Sequence, residues 1–334
     1  MKVAFLIHSL EVNSCRYRVL QYLPYLKANG SDASIHFYRR TWKEKMKFYN
    51  TLGGYDVLYL HRKLFSPAEF WYIRRRARKI VYDFDDALMY RSTGRRNPKS
   101  FSRRLKFAYM MRRVNYIIAG NEFLRSEALR YNENVAVIPT AIDLSKYSLK
   151  KDYHPEGPVT IGWLGSSSTV KYLGRLMPTL ENLSRKCPGM QLKIVSDQFL
   201  ESPTLPVIKK PWSEEEEVND LKSFDIGIMP LSDDLWSRGK CGLKILQYFS
   251  VGLPVVCTPI GINRDLVKNG VNGFWAESEE DWETNLLTLI REETLRKEMG
   301  LRGRKKVEEG YSLERNGPRI LQILRTVAAE GERQ

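Results

Sequence analysis

The sequence predicts an α/β protein with two domains, each built on a doubly wound parallel sheet. Short apolar runs alternate with amphipathic segments in both halves of the chain, as strands and crossover helices do. The length of 334 residues is large for a single core. Residues 148–158 lack periodicity and contain two prolines, so they form the predicted linker. We therefore expect one domain over 1–150 and a second over 151–312.

The elements of each half follow from their hydrophobic patterns. Buried strands are predicted at 3–7, 57–60, 80–82, 117–119 and 135–138, then at 160–164, 192–195, 226–230 and 255–257. Helical stretches between them include 18–28 and 123–131, and 312–327 is predicted to be a terminal helix. Strands that alternate with helices in this way favour parallel pairing within each half.

The positive charge is concentrated in the first half. The whole chain has a net charge of +15, but residues 1–150 hold 29 Lys and Arg against 12 Asp and Glu. The remaining residues hold 25 against 27. One half therefore carries the excess positive field, which predicts an anionic partner for that half. Anionic lipid, a lipid-linked phosphate acceptor and nucleic acid all fit this charge.

Cysteine and histidine usage predicts neither a disulfide framework nor a metal centre. Four cysteines and four histidines are scattered without paired or ligand spacing. No apolar run approaches the roughly 18 residues of a membrane span, and the apolar start is too short for a signal peptide. We expect a cytoplasmic protein, with attachment to the inner face of the membrane as an open alternative.

The most informative stretch is 238–261, which reads RGKCGLKILQYFSVGLPVVCTPIG. A glycine-flanked basic loop leads into a short helix with apolar positions at Leu243, Leu246 and Phe249. Gly252 ends that helix, and a buried strand follows. Amide groups at such a helix start stabilise an anionic phosphate.

This block resembles the donor-binding segment of GT-B glycosyltransferases, especially retaining family 4 (group 1). The resemblance covers most of 135–311; in the first half it rests on layout and on residues 137–143. It implies two Rossmann-like domains facing a cleft, with a last helix, 313–334, that crosses back to the first. It also implies sugar transfer from a nucleoside diphosphate with retained anomeric configuration, no catalytic metal and no cofactor besides the donor.

The resemblance assigns the donor site to the second half. Lys171 matches a family lysine, whereas Ser166 stands where arginine is usual, a charge that Lys240 or Lys244 could restore. Small and hydroxyl residues after strand 160–164 let a backbone approach a diphosphate. The predicted donor-binding residues are Gly165, Ser166, Ser167, Trp212, Gly242, Leu243 and Gln247. The alternative for the serine loop is a helix cap beside a surface lysine.

Two family glutamates are replaced in this chain. Gly239 and Gln247 occupy their positions, which puts a carboxylate contact to the transferred sugar in doubt. Gln247 can still hydrogen-bond ribose hydroxyls, because its amide both donates and accepts. Trp212 is predicted to stack on the nucleobase, with a core position as the alternative. A degenerate, inactive copy is a further alternative.

The first half offers candidates for the acceptor side. His61, at a strand end, sits where family 4 often has a histidine near the transferred sugar, and we group it with Lys171, Lys240 and Lys244 as catalytic. Arg16 and Arg18 are predicted to bind phosphate. Asp85 and Asp86 belong to a cluster similar to the metal-binding pair of GT-A enzymes. We interpret them as contacting the acceptor or pairing with cations.

Two basic and aromatic stretches, 70–76 and 101–113, complete the first half. A helix over 101–113 suits the interface of an anionic membrane, and the alternative is a solvated helix that covers a core. We interpret the protein as a retaining, metal-independent glycosyltransferase with a glycan, lipid-linked or other anionic acceptor. Another GT-B activity, such as sugar-nucleotide epimerisation, and a non-enzymatic nucleic-acid binder are the competing hypotheses.

Overall fold

The chain forms two compact units. The structure is a computed structural model that describes residues 1–94, 97–154 and 157–330. The first unit comprises 1–141, 234–241 and 313–334, and the second comprises 142–233 and 242–312. The sequence places 142–150 in the first domain and 234–241 in the second. The structure assigns 142–150 to the second unit and 234–241 to the first. Pro155 and Glu156 of the predicted linker and residues 331–334 of the terminal segment lie outside the described residues.

The first unit is built on a six-stranded parallel sheet. Its strands are β1 (Lys2–Ile7), β2 (Asp32–Phe37), β3 (Val57–His61), β4 (Ile80–Phe84), β5 (Tyr116–Ala119) and β6 (Val135–Val137). Its helices are α1 (Asn13–Arg18), α2 (Leu23–Ala28), α3 (Trp42–Tyr49), α4 (Pro67–Arg74), α5 (Phe101–Met111), α6 (Glu122–Leu129), α9 (Leu235–Arg238) and α14 (Leu313–Ala329). Short 3-10 turns cover Leu20–Tyr22 and Leu52–Gly54. The strand order is β2-β1-β3-β4-β5-β6, so the connections reverse direction between β1 and β3.

Helices cover both faces of this sheet. On one face, Phe48, Phe70 and Phe107 of α3, α4 and α5 form a core with alternate residues of the strands. On the other face, α1, α2 and α14 pack on the remaining strand residues, with Leu324 of α14 fully buried. The terminal helix thus lies in the first unit, against α2 and β3.

The second unit repeats the architecture. Its strands are β7 (Val159–Leu164), β8 (Met190–Ser196), β9 (Val207–Pro211), β10 (Ile226–Met229), β11 (Val255–Cys257) and β12 (Gly273–Trp275), in the order β12-β11-β10-β7-β8-β9. Its helices are α7 (Val170–Lys186), α8 (Glu217–Lys222), α10 (Leu243–Ser250), α11 (Ile262–Leu266), α12 (Glu279–Arg291) and α13 (Glu293–Gly310). The fold class of two Rossmann-like doubly wound units is confirmed.

Three strands and one helix boundary differ from the sequence prediction. The missed strands β2, β9 and β12 lie at the edges of their sheets, where polar or half-exposed residues weaken the apolar signal. The helix predicted over 18–28 is interrupted by the turn Leu20–Tyr22, and Pro24 lies in the first turn of the new helix α2. Within the described residues, no helix is both long enough and apolar enough to cross a bilayer.

Glycines allow α13 to pack closely on the turn that follows α10. A Cβ atom at Gly300 would overlap the carbonyl oxygen of Gly252 and come within 3.2 Å of the Leu253 nitrogen. Because these are backbone atoms, no side-chain rotation can relieve the overlap. Gly174 in α7 differs, since its nearest neighbour would lie 3.8 Å from an added Cβ.

Gly300→Ala should therefore lower the free energy of unfolding by about 1–3 kcal/mol, the usual cost of overpacking. The matched control, Gly174→Ala, should raise it by up to about 1 kcal/mol because alanine has the higher helix propensity. Urea unfolding of the two variants measures both values. Equal stability of the two variants would contradict the close packing at Gly300.

Candidate functional site

Ligands of open α/β sheets bind beyond the carboxyl ends of the strands, where the strand order reverses. In the second unit this point lies between the neighbouring strands β7 and β10. The loop 165–169 follows β7, and α10 begins after the connection that leaves β10. The loop and the helix start are therefore the candidate site of the second unit.

The backbone amides of the serine loop are largely engaged inside the protein. The amide and hydroxyl of Ser167 donate to the two carboxylate oxygens of Asp197, at 2.6 and 2.8 Å. The Ser166 amide donates to Thr169 Oγ1 at 3.2 Å, and the amides of Thr169 and Val170 donate to the Ser166 carbonyl. The loop thus resembles the helix cap weighed as the alternative. Asp197, which directly follows β8, has no counterpart among the predicted residues.

Gly165 serves packing at the start of this loop. A Cβ atom there would overlap the indole ring of Trp163, which is almost completely buried. The Nζ atom of Lys244 lies 4.9 Å from the centre of the same indole. A lysine over an aromatic face is held by the ring quadrupole, so Trp163 helps to orient Lys244.

The start of α10 combines a glycine N-cap with a lysine in the first helical turn. Its N-cap residue, Gly242, has φ +68°, a backbone conformation that favours glycine. An added Cβ atom would also overlap the Leu266 side chain, which is a second reason for glycine at this position. Gly242 itself has no side chain that could cap this helix start. Leu243 and Lys244 open the first turn, and Lys244 Nζ donates to Thr169 Oγ1 at 3.2 Å. Lys244 thereby connects the serine loop to the helix start, where amides and dipole favour an anion.

Trp212 is positioned by a buried carboxylate. Its indole N–H donates to Glu217 at 2.9 Å, and Glu217 also accepts a 2.5 Å hydrogen bond from the Tyr147 hydroxyl. Glu217 is almost completely buried, whereas Trp212 is half-buried. The ring is therefore fixed in orientation but remains partly accessible at the end of β9. Sequence reasoning missed Glu217 because it looked like one of four capping glutamates.

The other predicted residues of this unit lie close to the same elements. Gln247 is on α10 with 2% of its surface exposed. Lys171 is in the first turn of α7, with Nζ 5.4 Å from the centre of the Tyr172 ring. The structure thus brings the serine loop, Lys171 and Lys244 to one edge of the second sheet.

In the first unit, the residues at the switch point are buried. His61 ends β3 with no exposed surface; its Nδ1 lies 3.6 Å from Cys15 Sγ, and its Nε2 lies 3.9 Å from Asp83 Oδ2. Within the described part of the chain, Nε2 has no hydrogen-bond partner. Burial lowers the pKa of His61 well below 6.5, and the charges of Arg62, Arg18 and His8 lower it further. His61 is therefore a neutral interior imidazole.

Arg18 also lies inside the first unit. Its guanidinium forms a bidentate ion pair with Asp83 and donates to the Ile138 carbonyl at 2.6 Å. Both side chains are almost completely buried. The sequence predicts that Arg18 binds phosphate, but its buried position and its pairing with Asp83 do not support that role. Arg16, on the same short helix, is partly exposed and lies 5.0 Å from the centre of the Tyr17 ring.

The acidic cluster of β4 is matched by cations. Arg62 contacts both Asp86 and Asp85, the latter at 3.3 Å, and Lys240 Nζ donates to Asp86 at 2.9 Å. Arg62 has φ +57°, an uncommon conformation for a residue other than glycine, and its amide donates to the Asp83 carbonyl at 2.9 Å. Of the two roles predicted for Asp85 and Asp86, the contacts correspond to charge pairing.

Lys240 belongs to a segment that packs into the first unit. The Asn121 side-chain amide donates to the carbonyls of Lys240 and Arg238, at 2.9 and 3.3 Å. A Cβ at Gly239 would come within 2.6 Å of Ala87 Cβ and 2.7 Å of its nitrogen. The glutamate expected at position 239 from the family pattern would therefore not fit. The sequence grouped Lys240 with Lys244, but the structure places them in different units.

Comparisons with known proteins address the family directly. Residues 159–292 match the family described as "Glycosyl transferases group 1". The matched range, which we call the group 1 domain, covers most of the second unit. No match was found among the curated proteins.

Solved structures extend the likeness to the whole chain. HepE from Anabaena, in complex with UDP and glucose, has a TM-score of 0.75 at 16% identity and covers 98% of this chain and 100% of its own. Sucrose-phosphate synthase from Thermosynechococcus elongatus has a TM-score of 0.76 at 13% identity, covering 98% and 99%. A glycosyltransferase from Rickettsia africae has a TM-score of 0.75 at 12% identity, and the match covers 99% of each chain. These likenesses establish the GT-B fold, and the group 1 domain identifies a glycosyltransferase, as predicted.

The buried imidazole of the first unit generates a pH prediction. The pKa of His61 is lower in the folded state than in the unfolded state, so the unfolded state binds a proton first as the pH falls. The free energy of unfolding therefore decreases as the pH falls below about 6.5. His61 should contribute a loss of up to about 1.4 kcal/mol per pH unit in that range. His61→Gln should flatten the dependence between about pH 6.5 and pH 5, measured by urea unfolding.

His154 offers the control, because it is exposed and its pKa is raised by Glu293. His154→Gln should not reduce the acid destabilisation. Identical pH profiles for wild type and His61→Gln would show that His61 does not stay neutral in the folded protein.

Proposed function

We propose that this chain transfers a sugar from a nucleoside-diphosphate sugar to an acceptor, with the donor bound by the group 1 domain. The observation that carries the proposal is the start of α10, where the N-cap Gly242 has no capping side chain and Lys244 Nζ donates to Thr169 of the serine loop. This arrangement offers backbone amides, a helix dipole and a cation to one diphosphate. Those are the groups that stabilise the leaving diphosphate during transfer.

The engaged amides of the serine loop refine the roles of the donor residues. Because Ser166 and Ser167 already donate within the protein, we propose that the phosphates bind mainly at α10, Lys244 and Lys171. The loop would orient Lys244 through Thr169. Trp212 would stack on the base, and Gln247 would contact the ribose. Lys240, bonded to Asp86 in the first unit, is then a weaker candidate for the donor phosphates.

Structural neighbours support a nucleotide-sugar donor. HepE has been solved with UDP-glucose, and TarM of S. aureus has been solved with UDP and α-GlcNAc-glycerol. The chain would take a donor of this class, with the base and sugar still to be identified. The group 1 match also favours an enzyme over the competing hypothesis of a nucleic-acid binder. Sugar-nucleotide epimerisation remains the alternative activity.

Retention of configuration and independence of metal ions belong to the proposal. Retention rests on the resemblance of 239–261 to retaining family 4, and the anomeric configuration of the product, read by NMR, tests it. Metal independence rests on the charge partners of Asp83, Asp85 and Asp86, which are Arg18, Arg62 and Lys240. Carboxylates already paired with buried or half-buried cations are poor ligands for a divalent ion.

We propose that the first unit serves a glycan, lipid-linked or other anionic acceptor, as its excess positive charge suggests. Arg16 is the candidate for an acceptor phosphate, since it is partly exposed. A cytoplasmic location, with attachment to the inner face of the membrane, is part of this proposal. It rests on charge and on the absence of paired cysteine spacing in the sequence.

A thermal-shift screen against nucleoside diphosphates and nucleic acid tests the proposed class. Selective stabilisation by one diphosphate supports a nucleotide-sugar enzyme, because a ligand that binds only the folded state raises its stability. Binding to nucleic acid alone, lost with added salt, would support the non-enzymatic hypothesis instead. Release of the nucleoside diphosphate that depends on added acceptor separates transfer from epimerisation.

Lys244→Ala should weaken binding of the preferred nucleoside diphosphate about tenfold or more in calorimetry, corresponding to about 1.4 kcal/mol. The reason is that Lys244 is the cation next to the α10 amides. Lys297→Ala, which removes an exposed lysine from the same unit, is the matched control and should bind normally. The double variant Lys240→Ala/Lys244→Ala should add little to the single one. Unchanged affinity in a folded Lys244→Ala protein would remove Lys244 from the donor site.

Transferase activity should persist in EDTA, because lysine and amides can balance the diphosphate charge without a divalent ion. Activity is measured before and after chelation, and again after addition of magnesium or manganese. Loss on chelation with recovery on metal addition would contradict metal independence and would bring Asp83, Asp85 and Asp86 forward as ligands.

A further inference from the structure

One helix layer of the first unit combines basic, aromatic and apolar side chains on its outer side. The basic helix layer, as we call it, comprises residues 42–49, 67–78 and 101–113, which include α3, α4 and α5. It contains twelve Lys and Arg and two Glu. We propose that this layer docks the protein on an anionic lipid surface; this rests on the membrane attachment proposed above and assigns it to named residues.

Large apolar side chains of this layer point away from the core. Phe101 is 84% exposed, Trp42 57%, and Trp71 and Leu105 49% each. Phe101 and Leu105 lie one turn apart on α5 and so share a face of that helix. The inner side of the same helices is already filled by Phe48, Phe70 and Phe107. The exposed residues are therefore not needed to complete the core.

Guanidinium groups lie over the aromatic rings of the layer. Arg75 is 4.7 Å from the centre of the Trp71 ring, and Arg76 is 3.3 Å from that of Tyr72. Tyr72 in turn lies 6.4 Å from Trp42, which joins α3 to α4. Such pairs present a cation and an amphipathic ring at the same depth, as proteins do at the headgroup level of a bilayer.

The chemistry of the surface favours lipid over a soluble polyanion. Basic residues alone would suit either partner, but the exposed apolar area of Phe101 and Leu105 suits acyl chains and gains nothing from a soluble polyanion. On the other face of the sheet, α1, α2 and α14 contribute none of the exposed large apolar side chains among the described residues. Basic and exposed large apolar side chains thus coincide on α3, α4 and α5, although Leu10 and Val12, which precede α1, are exposed as well.

Co-sedimentation of the full chain with vesicles tests the proposal. The protein should bind vesicles rich in phosphatidylglycerol and bind phosphatidylcholine vesicles much more weakly. Binding should fall between about 0.1 M and about 1 M salt, where the Debye length shrinks from about 10 Å to about 3 Å. Tryptophan emission should shift to the blue with anionic vesicles, and Trp42→Phe/Trp71→Phe should lose that shift.

Two groups of variants separate charge from insertion. The charge variant removes three exposed basic residues: Lys43→Gln/Lys47→Gln/Arg75→Gln. It should reduce vesicle affinity at least tenfold, because each basic residue near the membrane surface raises the affinity severalfold. Phe101→Ser/Leu105→Ser should reduce it severalfold at unchanged charge. The matched controls lie in the second unit: Arg291→Gln/Lys297→Gln/Lys305→Gln and Leu301→Ser remove equivalent exposed residues. These controls should bind as the wild type does.

Four outcomes would overturn the proposal. They are equal binding to neutral and anionic vesicles, equal losses in layer and control variants, unchanged binding by the layer variants, and binding to nucleic acid in preference to anionic vesicles. The readout does not depend on sugar transfer. Nucleoside-diphosphate binding, measured on the same variants, should be unaffected, so a failure here would remove the membrane attachment and leave the proposed sugar transfer standing.

Discussion

The buried ion pair between Arg18 and Asp83 organises the carboxyl edge of the first sheet. A charged pair removed from water is tolerated only with near-complete hydrogen bonding, and Arg18 meets this need through Asp83 and the Ile138 carbonyl. The pair ties the short helix α1 to β4, next to His61. Its positive member also helps to keep His61 neutral. Because Arg18 and Asp83 are buried and paired with each other, the proposed acceptor contact is assigned to Arg16, which is partly exposed.

In the second unit the comparable constraint is the competition for backbone amides. Phosphate-binding loops work because their N–H groups are available to the ligand. Here Asp197 and Thr169 already accept hydrogen bonds from the amides of Ser167 and Ser166. In the proposed donor site, the start of α10 and Lys244 therefore take the place of the loop amides. The proposed phosphate site accordingly lies at a later helix of the same sheet edge and not at the first strand-helix turn.

The sequence predicted what depends on local pattern. Central strands and the α10 block were found because apolar runs, glycine and proline act over a few residues. Edge strands such as β2 were missed, since half-exposed positions dilute the pattern. The partners of site residues could not be found either: Glu217 with Trp212 and Asp197 with Ser167 are joined only by folding. Nor does the sequence show that Lys240 and Lys244, four residues apart, belong to different units.

The two positions that depart from the family pattern have packing reasons. Gly239 lies against Ala87 so closely that no side chain fits, so the close backbone approach excludes a glutamate there. Gln247 is 2% exposed, and a carboxylate so deeply buried would need a cationic partner to offset its lost hydration. A neutral amide avoids that cost and still offers a donor and an acceptor. Both replacements therefore suit the packing around them. Neither is evidence that this chain is a degenerate, inactive copy.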